Sequence, residues 1–266
     1  MRGMGRRPLN QDLETSSLKL VVCIKRVPDT ETRVRISASG TGIDPTGVKY
    51  VISPYDEYAL ELALRAKEGA GEGEVALLSF GDTAAQETLR KGLAMGADSA
   101  VLLTGEVDMD GLATAKSLAA ELRGSDAQIV LVGVKAADDD QEQVGPMVAA
   151  LTGRACVTGV SSFEIADGRV LCHREVDGGS EVVEAVLPAV LTVTKGEHEP
   201  RLASLKGIMA AKKKPLEEKP AQDGGSRIRV LSLREPAARP AGRIVGEGPD
   251  AVPELVRLLR EEAKAI

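Results

Sequence analysis

The residues best placed to do chemistry are GVKAADDDQEQVGPM, residues 133–147, directly after the apolar run QIVLVG. In an open parallel sheet, ligands gather at the carboxyl ends of strands, often against helix N-termini that offer free N–H groups. Gly133 permits close backbone approach, and Asp138, Asp139 and Asp140 could cap a helix start. Three adjacent acids would repel an anion if all faced it, so at least one should turn to a ribose hydroxyl, a cap or a second chain. A solvated acidic helix entrance satisfies the same spacing, and spacing alone does not choose between the two.

Other chemistry is scarce. The two histidines, His173 and His198, lie near no Ser or Cys in a nucleophile motif. There is no G-x-S-x-G, no Walker A sequence and no G-x-G-x-x-G after a strand. A self-contained hydrolase or dehydrogenase is disfavoured. The three cysteines (Cys23, Cys156, Cys172) have no metal-ligand or disulfide-framework spacing and suit a reducing cytoplasm. The segment 194–215, TKGEHEPRLASLKGIMAAKKKP, sets Leu202, Leu205, Ile208 and Met209 among charges. That composition suits a docking surface with an apolar anchor and a polar rim. An ordinary loop with incidental leucines fits too, and spacing alone leans slightly that way.

The elements that must position these residues alternate. Apolar runs at Leu18–Ile24, Val75–Ser79, Ala100–Leu103, Ile129–Val134 and Val186–Val193 read as buried strands separated by helix-period segments. The alternation predicts an α/β fold: a mainly parallel sheet with helices on both faces. One helix should start at Ser53, with Pro54 in its first turn and Asp56 completing an S-x-x-D box, and end at Gly69. Others should open at Asp82-Thr83, span Gly111–Arg123, and run from within Asp138–Gln143 to Leu151. Residues 31–51 read as two short strands around a Gly-rich turn. After Pro215, EEKPAQDGGS reads as a linker and IRVLSL as a strand; Asp250 should cap an amphipathic helix carrying Val252, Leu255, Val256 and Leu259. Residues 1–17 read as a disordered leader, 18–215 as the main domain, and 216–266 as an arm too small to bury its own core, which must pack on the domain or on a partner. The charge of -6 disfavours a nucleic-acid binder, and no apolar run is long enough for a transmembrane helix.

The stretches VVCIKRVPDT, SPYDEYALELALRAKE, ETLRKGLAMGAD, VKAADDDQEQVGPM, REVDGGSEVVEAVLPAVLT and EPRLASLKGIMAAKKK occur in this order. Together they resemble the beta subunit of electron-transfer flavoprotein, from about Leu18 onward. The resemblance implies a domain of adenine nucleotide alpha-hydrolase type, whose C-terminal arm embraces an alpha subunit holding most of a redox-active FAD. It implies an AMP buried in the beta domain. Carried over by motif, its contacts fall at Cys23, at Ser53, Pro54, Tyr55 and Asp56, at Phe80, and along Gly133, Val134, Lys135, Ala136, Ala137, Asp138, Asp139, Asp140, Gln141, Glu142, Gln143 and Val144.

The same resemblance makes residues 194–215 a recognition loop for acyl-CoA dehydrogenase-type donors, with Leu205 as anchor, and places Glu175 where an acid positions the domain against the alpha subunit. Lys213 falls at a position some members methylate, whereas the paired position is Ala210 here. Electrons would leave to a quinone oxidoreductase, so the chain would be a carrier subunit with no catalytic residue or metal of its own. The alternative is a bifurcating member, whose beta subunit binds a second FAD and oxidises NADH. The wording VPDT and PYDEYALE, and Thr30 where other members have an aromatic, lean that way. ADDD, REVDGG and the recognition-loop wording match the AMP-binding version, which the resemblance favours.

Overall fold

The computed structural model describes residues 17–106, 110–222, 225–238 and 241–266; the expected leader, apart from Ser17, lies outside them. The chain forms β1 (Leu18–Cys23), β2 (Arg26–Pro28), β3 (Tyr50–Ile52), α1 (Pro54–Ala70), β4 (Gly73–Gly81), α2 (Ala85–Met95), β5 (Ser99–Thr104) and α3 (Gly111–Arg123). It continues as β6 (Ile129–Gly133), α4 (Val144–Thr152), β7 (Ala155–Ala166), β8 (Arg169–Val176), β9 (Gly179–Val186), β10 (Ala189–Val193), α5 (Leu205–Ala211), β11 (Leu216–Pro220) and α6 (Val252–Glu261).

The main sheet has nine strands in the order β11-β5-β4-β1-β6-β10-β7-β8-β9. Neighbours run parallel from β11 through β7, and β8 and β9 complete the sheet antiparallel. This is the expected α/β architecture. Successive side chains of a strand point to opposite faces, so each interior strand serves two cores. Leu20, Val22, Ile129, Leu131 and Leu191 pack with Leu60 and Leu64 of α1 and Leu89 and Leu93 of α2. Cys23, Val130 and Val190 face Leu118 and Leu122 of α3 and Val148 of α4. Strands buried on both sides must read as continuous apolar runs, as these do. Among the described residues, no helix is long and apolar enough to cross a membrane.

Several expectations need correction. Ser53 is the residue before α1, but its side chain makes no cap hydrogen bond, and Asp56 sends its carboxylate to Lys25 N and Gly133 N instead of closing the box. That helix runs past Gly69 and ends on Gly71 at φ 78°, a conformation glycine adopts without steric cost. Helix α4 starts only at Val144; Asp140 and Glu142 sit at φ 49° and 56°, which no helix accommodates. The run Val186–Val193 is divided by Pro188, which has no N–H for a ladder, into the end of β9 and the buried β10. Residues 31–51 supply one isolated bridge, Ile36–Ile43, while Tyr50–Ile52 pair with Arg26–Pro28 instead.

The expected linker begins with β11, a parallel partner of β5. IRVLSL joins no ladder, and Ile228 and Leu231 are exposed. A short 3-10 turn, Pro249–Ala251, precedes α6 in place of an Asp250 side-chain cap. Leu258, not among the expected apolar set, is the residue α6 buries.

Candidate functional site

Along the chain, β4 and β5 add to one side of β1, and β6 then pairs on its other side. That reversal makes a crevice at the carboxyl ends of β1 and β6, the place where open α/β sheets bind ligands. A cavity of ≈ 480 Å³ lies there, bounded by Cys23 of β1, Phe80 and Gly81 of β4 and Gly133 of β6. The starts of α2, α3 and α4 also reach it, at Ala85, Gly111 and Val144, so the positive ends of three helix dipoles converge on one space.

Thirteen of the expected contacts line it: Cys23, Asp56, Phe80, Gly133, Val134, Lys135, Ala136, Asp138, Asp139, Gln141, Glu142, Gln143 and Val144. Ser53, Pro54, Tyr55, Ala137 and Asp140 do not. Ser53 is fully buried behind α1, and its hydroxyl has no partner. Leu205 and Glu175 lie outside the cavity and are exposed, at the start of α5 and in β8.

Asp56 organises the floor. It is 5% exposed; one carboxylate oxygen accepts from Lys25 N at 2.7 Å and the other from Gly133 N at 2.9 Å. The carboxylate thereby ties the ends of β1 and β6 to the first turn of α1. Burial pushes it up to about 7, against the pull of those two N–H donors. Gly133 is required by the same contact: a Cβ there would lie 2.9 Å from Tyr55 Cβ and closer still to the Asp56 carboxylate.

The three acids of the loop cap nothing. Asp138 and Asp139 both bind Lys25 Nζ, at 2.8 and 2.9 Å, and Asp140 binds Lys135 Nζ at 2.8 Å. Burial lowers the Lys25 pKa, but its two aspartates outweigh that and hold it above the ordinary lysine value. The repulsion foreseen for an anionic ligand is thus reduced, by two lysines that follow β1 and β6 and face three aspartates. Cys23 is inert, since burial pushes its thiol up to about 12. Neither histidine lines the cavity, and the described residues contain no cluster able to hold a metal ion. These groups can enclose and orient a ligand.

Sequence reasoning missed Lys25, Arg26, Tyr50, Gly111 and Thr114, all of which line the cavity. For Lys25 and Arg26 a signal existed: residues just past the carboxyl end of a central parallel strand lie on the binding edge. Arg26 places its guanidinium carbon 3.5 Å from the centroid of the Tyr50 ring, and its Nε is buried without a hydrogen-bond partner.

The exposed leucines lie on a separate, firmly seated platform. Glu61 of α1 is 2% exposed and accepts from Arg201 N at 3.1 Å and Arg201 Nε at 2.8 Å. Ser204 caps α5 by accepting from Gly207 N at 3.0 Å. Arg90 of α2 donates to the Ala211 and Lys214 carbonyls at 2.6 and 2.8 Å. From this base Leu202 and Leu205 stand 94% and 83% exposed.

Residues 41–223 match the family model described as electron transfer flavoprotein domain. The chain is 42% identical over 250 residues to the electron transfer flavoprotein subunit beta of Bradyrhizobium diazoefficiens, covering 92% of this chain and 99% of that one. It is 35% identical over 260 residues to the Bacillus subtilis subunit beta, covering 94% and 100%. It is 36% identical over 255 residues to the mitochondrial subunit beta of Arabidopsis thaliana, again covering 94% and 100%. With likeness running nearly end to end, this chain belongs to the beta-subunit family of electron transfer flavoproteins.

Proposed function

We propose that this chain is the nucleotide-binding half of a heterodimeric electron carrier. An AMP fills the cavity as a fixed structural part and is not turned over. An alpha subunit holds most of the FAD, which supplies the redox chemistry when bound. Acyl-CoA dehydrogenase-type donors dock at Leu205, a quinone oxidoreductase takes the electrons, and the complex works in the cytoplasm.

The observation that carries the nucleotide reading is the cavity at the winding reversal. Its volume falls within the ordinary range for small-molecule sites. Its lining supplies what a nucleotide needs: a bare backbone edge at Gly133, converging helix N-termini, an apolar wall from Cys23, Leu78, Phe80 and Leu118, and a buried guanidinium N–H awaiting an acceptor. Asp56 holds the edges of this space in register, and Lys25 and Lys135 offset part of the charge of its acidic loop.

The arm supports the partner reading. Ile228, Leu231 and Ile244 stand 69%, 75% and 86% exposed along residues 216–266, apolar surface that a partner chain would cover. We place Glu175, exposed on β8, at that partner's surface as well.

The test is to purify the chain together with its alpha subunit and count cofactors. One FAD and one AMP per one-to-one heterodimer are expected. Two FAD with no AMP, the second reduced by NADH, would replace this reading with the bifurcating one. A monodisperse monomer that ignores the alpha subunit would refute the partner assignment.

A further inference from the structure

Three cations line the cavity, and their charge is unevenly committed. Lys25 is held by Asp138 and Asp139, and Lys135 by Asp140. Arg26 has no ion pair among the described residues. The acid whose titration it does influence, Glu87 of α2, is bound to Lys91 at 3.0 Å. Arg26 nevertheless stands on β2 with its guanidinium stacked on Tyr50, the residue that opens β3, and with Nε shut away from solvent and unbonded. A stacked ring holds a guanidinium flat, yet it satisfies none of the in-plane N–H donors. A buried donor of this kind calls for an explanation, and an acceptor that arrives with a ligand supplies one.

We propose that Arg26 is the phosphate-reading residue of this cavity, held by Tyr50, and that it makes the site select a phosphorylated adenosine over adenosine itself. The inference rests on the nucleotide reading of the cavity. Helix N-termini at Gly111 and Val144 offer partial charges and amides, but a phosphate also has to meet Asp56, Asp82 and Glu142 on the same lining. A full charge without an acid of its own is needed to offset them, and Arg26 supplies it. A guanidinium suits the task better than a lysine, because its planar fork binds two phosphate oxygens at once and keeps its charge when buried.

The test uses the full-length chain purified with its alpha subunit, freed of endogenous nucleotide, and titrated calorimetrically with AMP and with adenosine. Wild type should bind AMP at least about a hundredfold more tightly than adenosine, the scale of two charge-assisted hydrogen bonds. Arg26→Gln should weaken AMP by roughly thirty- to a hundredfold and leave adenosine within about twofold. Arg26→Lys should recover part of the loss. Wild type that binds both ligands equally, or Arg26→Gln that weakens both alike or neither, overturns the role of Arg26 while leaving a nucleotide site in place. Wild type that binds neither ligand overturns the nucleotide reading itself, and the inference with it. If Arg26→Gln fails to fold, Arg26→Lys decides in its place: AMP affinity unchanged from wild type, or weakened in step with adenosine, overturns the role of Arg26.

Discussion

Replacing Arg201 with alanine should loosen the platform that presents Leu205. Arg201 spans two turns of α1: its guanidinium binds Glu61 through Nε at 2.8 Å and Nη2 at 3.1 Å, and reaches Glu68 through Nη2 at 3.1 Å. Glu61 is 2% exposed, and although burial raises its pKa, Arg201 holds it below the ordinary glutamate value. Stripping one partner from a buried ion pair costs about 3–5 kcal/mol, because the remaining charge loses its compensation. Here Arg201 is itself 31% exposed and Arg65 stays on Glu61 at 2.8 Å, so both water and a second cation soften the loss. The expected destabilisation is therefore about 2–3 kcal/mol, read as a shift in the urea midpoint. Adding Glu61→Gln should return at least about 1 kcal/mol, since the orphaned charge is gone. A depressed carboxylate contributes stability above its unfolded pKa and loses it as pH falls, so the variant should also show a flatter decline into acid. Amide exchange across residues 199–211 should quicken. A cost under about 0.5 kcal/mol, or a double variant as unstable as the sum of its singles, would refute this account.

Three further outcomes are expected. Gly133→Ala should cost about 1–3 kcal/mol and empty the cavity of nucleotide, because its Cβ displaces the Asp56 carboxylate; melting temperature and retained nucleotide measure both. Asp56 is raised from 3.8 to about 7, so the native state holds a proton the unfolded state has released. Stability should then fall by up to about 4 kcal/mol as pH rises from roughly 4 to 7 and level off above, a slope that Asp56→Asn should flatten in melts across that range. Leu205→Ala removes a side chain that is 83% exposed, so stability should change by no more than about 0.5 kcal/mol. Electron transfer from a cognate acyl-CoA dehydrogenase should weaken roughly ten- to a hundredfold; unchanged transfer, or a large fall in melting temperature, would remove Leu205 as an anchor.

The legible parts of the fold are those governed by neighbours in sequence. The span Gly111–Arg123 emerges as α3 without adjustment, its start fixed by Asp110, which accepts from Ala113 N at 2.8 Å. The buried strands are legible for a related reason: a strand covered on both faces needs only apolar residues. What escaped depends on partners far along the chain. Asp56 sits three residues from Ser53, as a capping box requires, yet it bonds the backbone of Lys25 and Gly133, 31 and 77 residues away. Asp138 and Asp139 carry a cap-like signature but answer to Lys25, more than a hundred residues earlier. β8 and β9, half-exposed and interrupted by Glu and Arg, have no continuous apolar run to notice. Arg26 and Tyr50 meet only because β2 and β3 pair across an irregular loop.

The arm and the cavity are not independent parts of this chain. Asp110 caps α3 with one oxygen and with the other accepts from Arg227 N at 2.6 Å and Ile228 N at 3.1 Å. Further along the arm, Leu233 N donates to the Gly40 carbonyl at 2.7 Å. Both anchors adjoin the cavity: Gly111, next to Asp110, lines it, and so does Ile43, three residues beyond Gly40. The stretch between the anchors therefore joins two rims of one cavity, while Ile228 and Leu231 on it remain exposed. A partner that covers those side chains also covers the tether between the α3 and Ile43 rims. One anchor is the Asp110 carboxylate and the other the Gly40 carbonyl, so the arm is tied one residue from Gly111 and three from Ile43. The arm and the cavity rim thus share the same few contacts, and Asp110 accepts three of them with a single carboxylate.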